Sequence, residues 1–205
     1  SLRWSVPEML SDEWGIRRLM LARSVEQASE ALGQMPTPLN YIVVDTGGNI
    51  ARISTGYTPI RRTGDGSLPT PVGERDSWAG RIPPEHMPRQ VNPERDWVAA
   101  ANSRVTEADY PYPYSTYAAA SWRYRRLMEL FAKDGITAED HWAFTLDINN
   151  PMARLVMPHL LGALESDPAL EDITRILAEW DFMDATAQSA PAVFQSLYRH
   201  FAWRV

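Results

Sequence analysis

Asn102 is the residue of this sequence whose type and position best suit polar chemistry. The apolar run 97–101 (Trp-Val-Ala-Ala-Ala) ends directly before it. An amide NH2 group held at the end of a strand can donate a hydrogen bond to a carbonyl oxygen while negative charge develops there under attack. Asn is also a common residue for capping a strand or starting a turn. On residue type alone the structural interpretation is the commoner one, and the catalytic interpretation stays open.

The composition argues against several other kinds of chemistry. The sequence has no cysteine, which excludes disulfides, thiolate zinc sites and cysteine nucleophiles. Its four histidines are scattered without a partner at helical ligand spacing, which disfavours a histidine metal site. The formal net charge of -6 argues against a nucleic-acid partner, because such proteins carry a basic face that neutralises phosphates. No run of eighteen apolar residues is present, so we expect no membrane span.

The elements that must position Asn102 lie in a part rich in strands and loops, 1–117. Residues 23–35 contain a capping pair, Ser24 and Gln27, and apolar residues on one side, which predicts a short amphipathic helix. Two runs of strand-forming residues around a Gly-Gly-Asn turn predict a hairpin over 39–55.

Three further expectations concern backbone conformation in this part. Gly47 and Gly48 are expected to supply positive φ values in the hairpin turn. The segment 56–95 is rich in proline and glycine, so we predict a long loop in which no regular structure persists. Residues 96–101 are predicted to form a short buried strand that ends at Asn102.

The remaining part, 118–205, has helical patterns. Five helices are predicted: 118–135 with Gly135 as its C-cap, one that follows Thr137 as N-cap, 151–165, 168–180 and 190–203. Pro158 is expected to kink or break the third of these. Strands precede helices instead of alternating with them, so we predict an α+β fold in one fragment, 1–205, and not a doubly wound parallel fold.

Four blocks of the sequence, in this order, resemble one protein family. They are NYIVVDTGGNIARISTGYTPIRRTGDGSLPTPVG (40–73), WAGRIPPEHMPRQVNPERDWVAAANSRVTEADYPY (78–112), WRYRRLMELF (122–131) and TAEDHWAFTLDINNPMARLVMPHLL (137–161). Together they are similar to the middle of the β-chain of penicillin acylases, which are N-terminal nucleophile hydrolases. The resemblance implies part of a four-layer αββα core made from two chains of one precursor. It also implies hydrolysis of amide bonds in penicillins, cephalosporins or acyl-homoserine lactones.

Two residues acquire catalytic roles through this resemblance. Asn102 matches a family Asn at a strand end whose side-chain amide helps to form the oxyanion hole, although Ser103 replaces the second Asn that often follows it. Arg126 matches a family arginine that lies close to the active site and orients the catalytic Asn. From the residues alone, Arg126 can equally be a helix-surface arginine paired with Glu129 three positions on.

The resemblance implies that no cofactor is required. It also introduces a candidate site for a structural calcium ion in the full enzyme. Gly66 matches the loop residue whose carbonyl binds calcium in many family members. Tyr114 stands where the family carboxylate would align, and a phenol does not replace a carboxylate as a calcium ligand. Asp65 and Asp109 are the alternative acids, and each can equally be an ordinary loop residue.

The family nucleophile is a Ser, Thr or Cys at the first position of the β-chain, where its own α-amino group serves as the base. This sequence begins with Ser1, but SLRWSVPEML (1–10) resembles a stretch far downstream of that position. We therefore interpret Ser1 as a cut site or an added residue. The resemblance then implies an amidohydrolase fragment that is inactive without the α-chain and the N-terminal part of the β-chain. It also implies an acyl-amide substrate and a periplasmic location for the parent protein.

A second hypothesis assigns the chain to a different class. In it, the chain is a stable non-catalytic domain whose hairpin edge and proline-rich segment bind another protein chain.

Overall fold

The computed structural model describes residues 3–9, 14–69 and 77–204, and the chain divides into two compact units, Ser1–Ala120 and Ser121–Val205. Ser1 and the segment 70–76 of the proline-rich stretch lie outside the described residues. Strands occur in the first unit and are followed by the helices of the second, which confirms the α+β prediction. Within the described residues, no helix combines the length and the apolar character needed to cross a membrane.

The first unit consists of short helices and two small antiparallel sheets. Its elements are a 3-10 turn Val6–Met9, α1 Ile16–Leu21, α2 Val25–Leu32, β1 Asn40–Val44, β2 Ile50–Ser54, β3 Pro59–Arg61, β4 Trp78–Arg81, a 3-10 turn Pro84–His86 and β5 Arg89–Val91. The larger sheet has the strand order β1-β2-β5, and the smaller one pairs β3 with β4. All pairs are antiparallel.

Helix α2 begins at the predicted cap and packs on the hairpin. The Ser24 hydroxyl accepts a hydrogen bond from the Gln27 amide at 3.2 Å, which confirms the N-cap. Its apolar side is buried, with Val25 and Leu32 almost fully so, in a cluster that includes Ala51 and Ile53 of β2. The helix therefore covers one face of the three-stranded sheet.

The predicted hairpin is confirmed as β1 and β2, and Asp45 organises the connection between them. One Asp45 oxygen accepts hydrogen bonds from the Gly47 amide at 2.9 Å and the Asn49 amide at 3.0 Å. The other accepts from the Val25 amide at 3.1 Å, at the start of α2. The pKa of Asp45 is lowered, and the hydrogen bonds from Asn49 are the largest cause. Gly48 has φ 83°, but Gly47 is not in the left-handed region, so the prediction for Gly47 was wrong.

The proline-rich stretch contributes more regular structure than expected. Three strands of three or four residues, β3 to β5, lie in or beside the segment predicted as a loop, and β5 pairs with β2. The strand predicted over 96–101 was wrong, because residues 97–101 join no sheet in the described part of the chain. Two observations explain this: β2 is already paired on both sides, and the residues that flank the run, Asp96 and Asn102, both have φ 55°.

The second unit is helical. Its elements are α3 Trp122–Leu130, α4 Ala138–Thr145, α5 Pro151–Leu164, a 3-10 turn Pro168–Leu170, α6 Glu171–Ala178 and α7 Ala190–Ala202. Thr137 is the N-cap of α4, as the sequence predicts, and it forms a reciprocal capping box with Asp140. The Asn150 side chain caps α5, in which Pro151 occupies the first turn. The core of the unit is built around Phe194, which is fully buried, and includes Trp180.

Two helix predictions in this unit need correction. Helix α3 ends at Leu130 and not near Gly135, which instead has φ 64° in the connection to α4. Its last turn is closed by the Phe131 amide, which donates to backbone carbonyls within the helix, so no glycine cap is required. Helix α5 continues past Pro158 without the break that was one of the two expected outcomes.

Candidate active site

Asn102 lies at a bend that follows a partly buried stretch. Its neighbour Ala101 is 6% exposed, whereas Asn102 itself is exposed. The backbone of Asn102 is left-handed, with φ 55°. Asn adopts this conformation more readily than other residues with a Cβ, because its short polar side chain can bond locally. The conformation gives a structural reason for Asn at this position, in addition to its value as a donor.

Two hydrogen bonds hold the backbone at Asn102 and shortly after it. The Asn102 carbonyl accepts from the Ala119 amide at 2.8 Å, so the bend is tied to the end of the first unit. Three residues further on, the Val105 carbonyl accepts from the Arg52 guanidinium at 3.2 Å. A donor carried by this segment is therefore attached to the three-stranded sheet and not to an unsupported loop.

Arg52 is a supporting residue that the sequence did not reveal. It is 6% exposed and lies on the sheet face opposite α2. Its guanidinium donates to the Ser54 hydroxyl at 3.3 Å, and that hydroxyl donates to the Asn40 Oδ1 atom at 2.7 Å. The signal available in the sequence was a positively charged side chain within an otherwise apolar strand, Ile-Ala-Arg-Ile. Such a cation requires acceptors once it is buried.

A group of aromatic residues fixes the chain beyond this point. The Tyr110 hydroxyl donates to the His86 carbonyl at 2.8 Å, and the His86 ring lies 2.9 Å from the Tyr112 hydroxyl. Burial, with smaller effects from Tyr114 and Tyr112, raises the pKa of Tyr110 to about 12. The tyrosines of the Asp-Tyr-Pro-Tyr-Pro-Tyr run therefore hold residues 110–114 against the turn before β5.

Arg126 lies in the second unit, on α3, within a network of four charged side chains. Two of its nitrogens meet the Asp147 carboxylate at 2.8 and 2.7 Å. The third donates to Glu129 at 2.9 Å, and the other oxygen of Glu129 accepts from Arg154 of α5 at 2.6 Å. The pairing with Glu129 was one of the two interpretations of Arg126, whereas Asp147 was not anticipated. Through this network Arg126 connects α3 with the segment before α5.

Three of these charged groups, Arg126, Asp147 and Glu129, are stabilised in their ionised forms. The hydrogen bonds from Arg126 lower the pKa of Asp147, and they are also the largest cause of the lowered pKa of Glu129. The pKa of Arg126 is raised, chiefly by its hydrogen bonds to Asp147. The side chains of Arg126 and Asp147 are 24% and 15% exposed, so solvent screens this pair less than a surface pair.

Gly66, the candidate calcium residue, lies in an exposed loop with φ 91°. The Arg61 guanidinium packs against it, since a Cβ added at Gly66 would lie 2.7 Å from the Arg61 Cζ atom. Asp65 is already engaged by the Ser67 hydroxyl and amide at 2.6 and 2.9 Å, which lower its pKa. Tyr114 packs edge-on against another tyrosine ring.

Calcium binding at Gly66 stays a prediction of the resemblance. The Arg61 guanidinium packs against Gly66, and its positive charge would repel a metal ion bound there. In the part of the chain that the structure describes, no three His, Cys, Asp or Glu side chains are grouped so as to hold a metal ion. Asp109, the other alternative acid, is exposed.

A cavity of about 460 Å³ lies in the first unit between α2 and the sheet. Its wall includes Val25 and Leu32 of α2 and Ile53 of β2, with Met87 and Val91 on the side of β5. It contains neither Asn102 nor Gly66. The candidate catalytic and calcium-binding residues of this unit therefore lie outside this cavity.

A sequence-family comparison connects the whole chain with known proteins. The model of the family described as penicillin amidase matches residues 1–205.

Three curated relatives give the scale of this similarity. The chain is 35% identical over 159 residues to penicillin acylase 2 proenzyme of Pseudomonas sp. (strain SE83), a match that covers 75% of this chain and 20% of the relative. It is 38% identical over 114 residues to acyl-homoserine lactone acylase QuiP of Pseudomonas fluorescens (strain Pf0-1), covering 55% and 14%. It is 28% identical over 179 residues to penicillin G acylase of Escherichia coli, covering 79% and 20%. The chain therefore spans only a small part of each relative.

A solved structure shows the same fold. The thermostable penicillin G acylase from Alcaligenes faecalis superposes with a TM-score of 0.63 at 21% sequence identity. The match covers 85% of this chain and 34% of the other.

Proposed function

The chain belongs to the penicillin amidase family, and from this premise we propose that it is part of a larger acylase that hydrolyses an acyl amide bond. The relatives named above are acylases whose names refer to penicillin or to acyl-homoserine lactones. Both names describe the removal of an acyl group from an amine. The proposed substrate class is therefore an acyl amide.

In the proposed reaction, a hydroxyl nucleophile from a part of the parent protein outside these residues attacks the amide carbonyl carbon. The carbonyl oxygen becomes an oxyanion, the amine leaves with a proton, and water then hydrolyses the acyl-enzyme ester. Asn102 donates a hydrogen bond from its side-chain NH2 group to the oxyanion. Such a donor lowers the barrier because it meets more charge in the transition state than in the bound substrate.

The observation that supports this assignment best is the way Asn102 is presented. It is an exposed amide residue at a left-handed bend whose carbonyl is tied to Ala119, while Val105 is tied to the buried Arg52. A transition-state donor needs a fixed backbone, because its energetic value depends on being aimed before the reaction starts.

Arg126 is proposed to act as a positioning residue. Its guanidinium is held by two carboxylates, those of Asp147 and Glu129, so its direction is fixed. We further propose that residues 1–205 alone do not turn over acyl amides, because the nucleophile comes from elsewhere in the parent.

Asn102→Gly in the mature parent enzyme tests the proposal. Glycine adopts φ near 55° without strain, so this variant removes the donor and keeps the backbone. We expect kcat to fall by about 10² to 10³, with KM and melting temperature changed far less. A matured variant that keeps kcat within about threefold of the parent would exclude Asn102 as the oxyanion donor. The masses of the mature chains must match the parent in this experiment.

Asn92→Gly is the matched control. Asn92 is another left-handed Asn, with φ 42°, and its side chain accepts from the Ile50 amide and donates to Asn49, both at 2.9 Å. Its loss should lower the melting temperature and leave kcat unchanged, which is the reverse of the Asn102 pattern. The same pattern in both variants would show that the assay reports folding and not chemistry.

A further inference from the structure

The first strand of the hairpin, β1, leaves two of its apolar side chains exposed. Ile42 is 50% exposed and Val44 is 66% exposed, whereas the alternate residues Tyr41 and Val43 pack with the cluster beneath α2. The three-stranded sheet therefore has one face covered by a helix. On the opposite face Arg52 of β2 is buried, whereas its partner in the register on β1, Ile42, and the next residue on that face, Val44, are exposed.

The backbone of the same residues is directed away from the sheet. Hydrogen-bonded pairs close both ends of the hairpin: the Thr55 amide donates to the Leu39 carbonyl at 2.9 Å and the Asp45 amide to the Asn49 carbonyl at 3.1 Å. In an antiparallel pair, residues that bond across the pair alternate with residues that point outward. The amide and carbonyl groups of Ile42 and Val44 therefore face the outer edge of β1. Among the described residues, no strand pairs with that edge.

Sequence and exposure together identify this edge as one that must be covered. Strands that remain at the edge of a sheet in solution carry charged residues, proline or a bulge. β1, Asn-Tyr-Ile-Val-Val, has none of these, and its pairing with β2 runs in unbroken register from Asn40↔Ser54 to Val44↔Ile50. Left open, such a strand would pair with other chains and aggregate.

The amount of chain outside residues 1–205 decides what covers this edge. The matches span 20%, 14% and 20% of the three relatives and 34% of the structural neighbour, so most of each such protein lies outside the matched part. A segment of the same parent reaches the edge at a far higher effective concentration than a second molecule does.

We propose that an extended segment of the parent protein from outside residues 1–205 adds as a strand to the outer edge of β1. Its main chain pairs with the outward groups of Ile42 and Val44, and its apolar side chains lie against theirs. This inference uses the proposed function only for the existence of a larger parent. It makes no reference to Asn102, so the two proposals fail independently.

Hydrogen exchange of single amides in the full-length mature parent tests the inference. The Tyr41 and Val43 amides, which face β2, serve as references within the same strand. We expect the Ile42 and Val44 amides to exchange as slowly as these references. The proposal would be overturned if the Ile42 and Val44 amides exchanged as fast as those of an unstructured peptide while the reference amides stayed protected.

The mass of the parent in solution and its concentration dependence separate a second copy from an internal segment. Protection that persists in a monomer supports the internal segment. Protection that appears only with dimer formation would overturn the proposal in favour of pairing between copies.

A pair of lysine substitutions provides a second measurement. Val44→Lys places a charge in the proposed contact and should lower the melting temperature of the parent. Leu68→Lys places the same charge at a residue that is 78% exposed in a loop and should have no such effect. Equal melting temperatures for the two variants would contradict a covered Val44.

Discussion

The two units of the molecule bury their apolar side chains to different extents. Among the described residues, the helical unit has a cluster of seven buried residues with ten partly buried neighbours, whereas the cluster beneath α2 has five with three. The helices of the second unit surround Phe194 from several directions. The sheet of the first unit is covered by a helix on one face and carries exposed Ile42 and Val44 on the other. The comparison indicates that the larger of these two apolar clusters lies in the helical unit.

The two units also differ in how their polar residues are arranged. In the second unit the acids and bases near α3 are paired with each other, and their geometry is explained within the unit. In the first unit three residues with side chains, Asn92, Asp96 and Asn102, have left-handed backbones within eleven positions of one another. Unusual backbone conformations gather where a chain presents side chains for binding or chemistry. The candidate site therefore belongs to the less self-contained unit.

The largest expected effect tests the completeness of the helical core. Phe194→Ala removes a fully buried ring that packs 5.6 Å from Trp180, so we expect the free energy of unfolding to fall by about 3 to 5 kcal/mol. Phe201→Ala on the same helix, where the ring is 64% exposed, should cost less than about 1 kcal/mol. Urea denaturation measures both, and similar losses would show that α7 buries its other face as well.

The next effect tests whether the charged network stabilises the second unit. Asp147→Asn removes the paired carboxylate of Arg126 and should cost about 1.5 to 3 kcal/mol at neutral pH. Asp172→Asn is the control, because Asp172 forms an exposed pair with Arg175 and its loss should cost under about 0.5 kcal/mol. Equal stability of the two variants at neutral pH would show that the network contributes nothing specific.

The dependence on pH follows from the direction of the pKa shift. The pKa of Asp147 is lowered in the folded state from 3.8 by the hydrogen bonds from Arg126. Its contribution is therefore complete above the unfolded pKa and is lost as the pH falls through the lower folded pKa. The stability of the protein with Asp147 should decline more steeply than that of the Asp147→Asn variant as the pH is taken from about 5 to about 2. Parallel curves would contradict the shift.

The smallest effect concerns the hairpin turn of the sheet unit. Gly48 has φ 83° and no heavy atom within 4 Å of an added Cβ, so a substitution there meets conformational strain and no steric clash. Gly48→Val should cost about 1 to 2 kcal/mol, and Gly48→Asn clearly less because Asn tolerates the left-handed region. Thermal unfolding of the two variants checks the order, and a stability loss for Asn as large as that for Val would refute the conformational explanation.

Local signals in the sequence predicted much of this fold. Ser24 and Thr137 marked helix starts correctly because a cap is a contact between residues three positions apart. The hairpin followed from two strand-like runs around a glycine turn. The strand expected over 96–101 failed because apolar composition does not show whether a pairing edge is available, and β5 had already taken the second edge of β2.

The candidate site was predictable to a smaller degree. Asn102 was identified by residue type and resemblance, but its left-handed backbone was not, since conformation at a single position has no periodic signal. Asp147 was missed because it lies 21 positions from Arg126, beyond the reach of helical spacing rules. Arg52 was missed because two of its acceptors come from β1 and from a segment 53 positions away. Long-range polar contacts depend on the packing and not on local patterns.

The position of Asp45 has a consequence for the order in which the first unit folds. Its carboxylate connects the start of α2 with the hairpin turn across 20 positions, and the hairpin itself closes over a shorter span. Strand β5 joins the same sheet through a contact across 42 positions, from the Ile50 amide to Asn92. Contacts of low sequence separation lose less chain entropy on closure and form earlier. Helix α2 and the hairpin are therefore expected to form as an early folding nucleus, onto which β5 and the segment that carries Asn102 assemble afterwards.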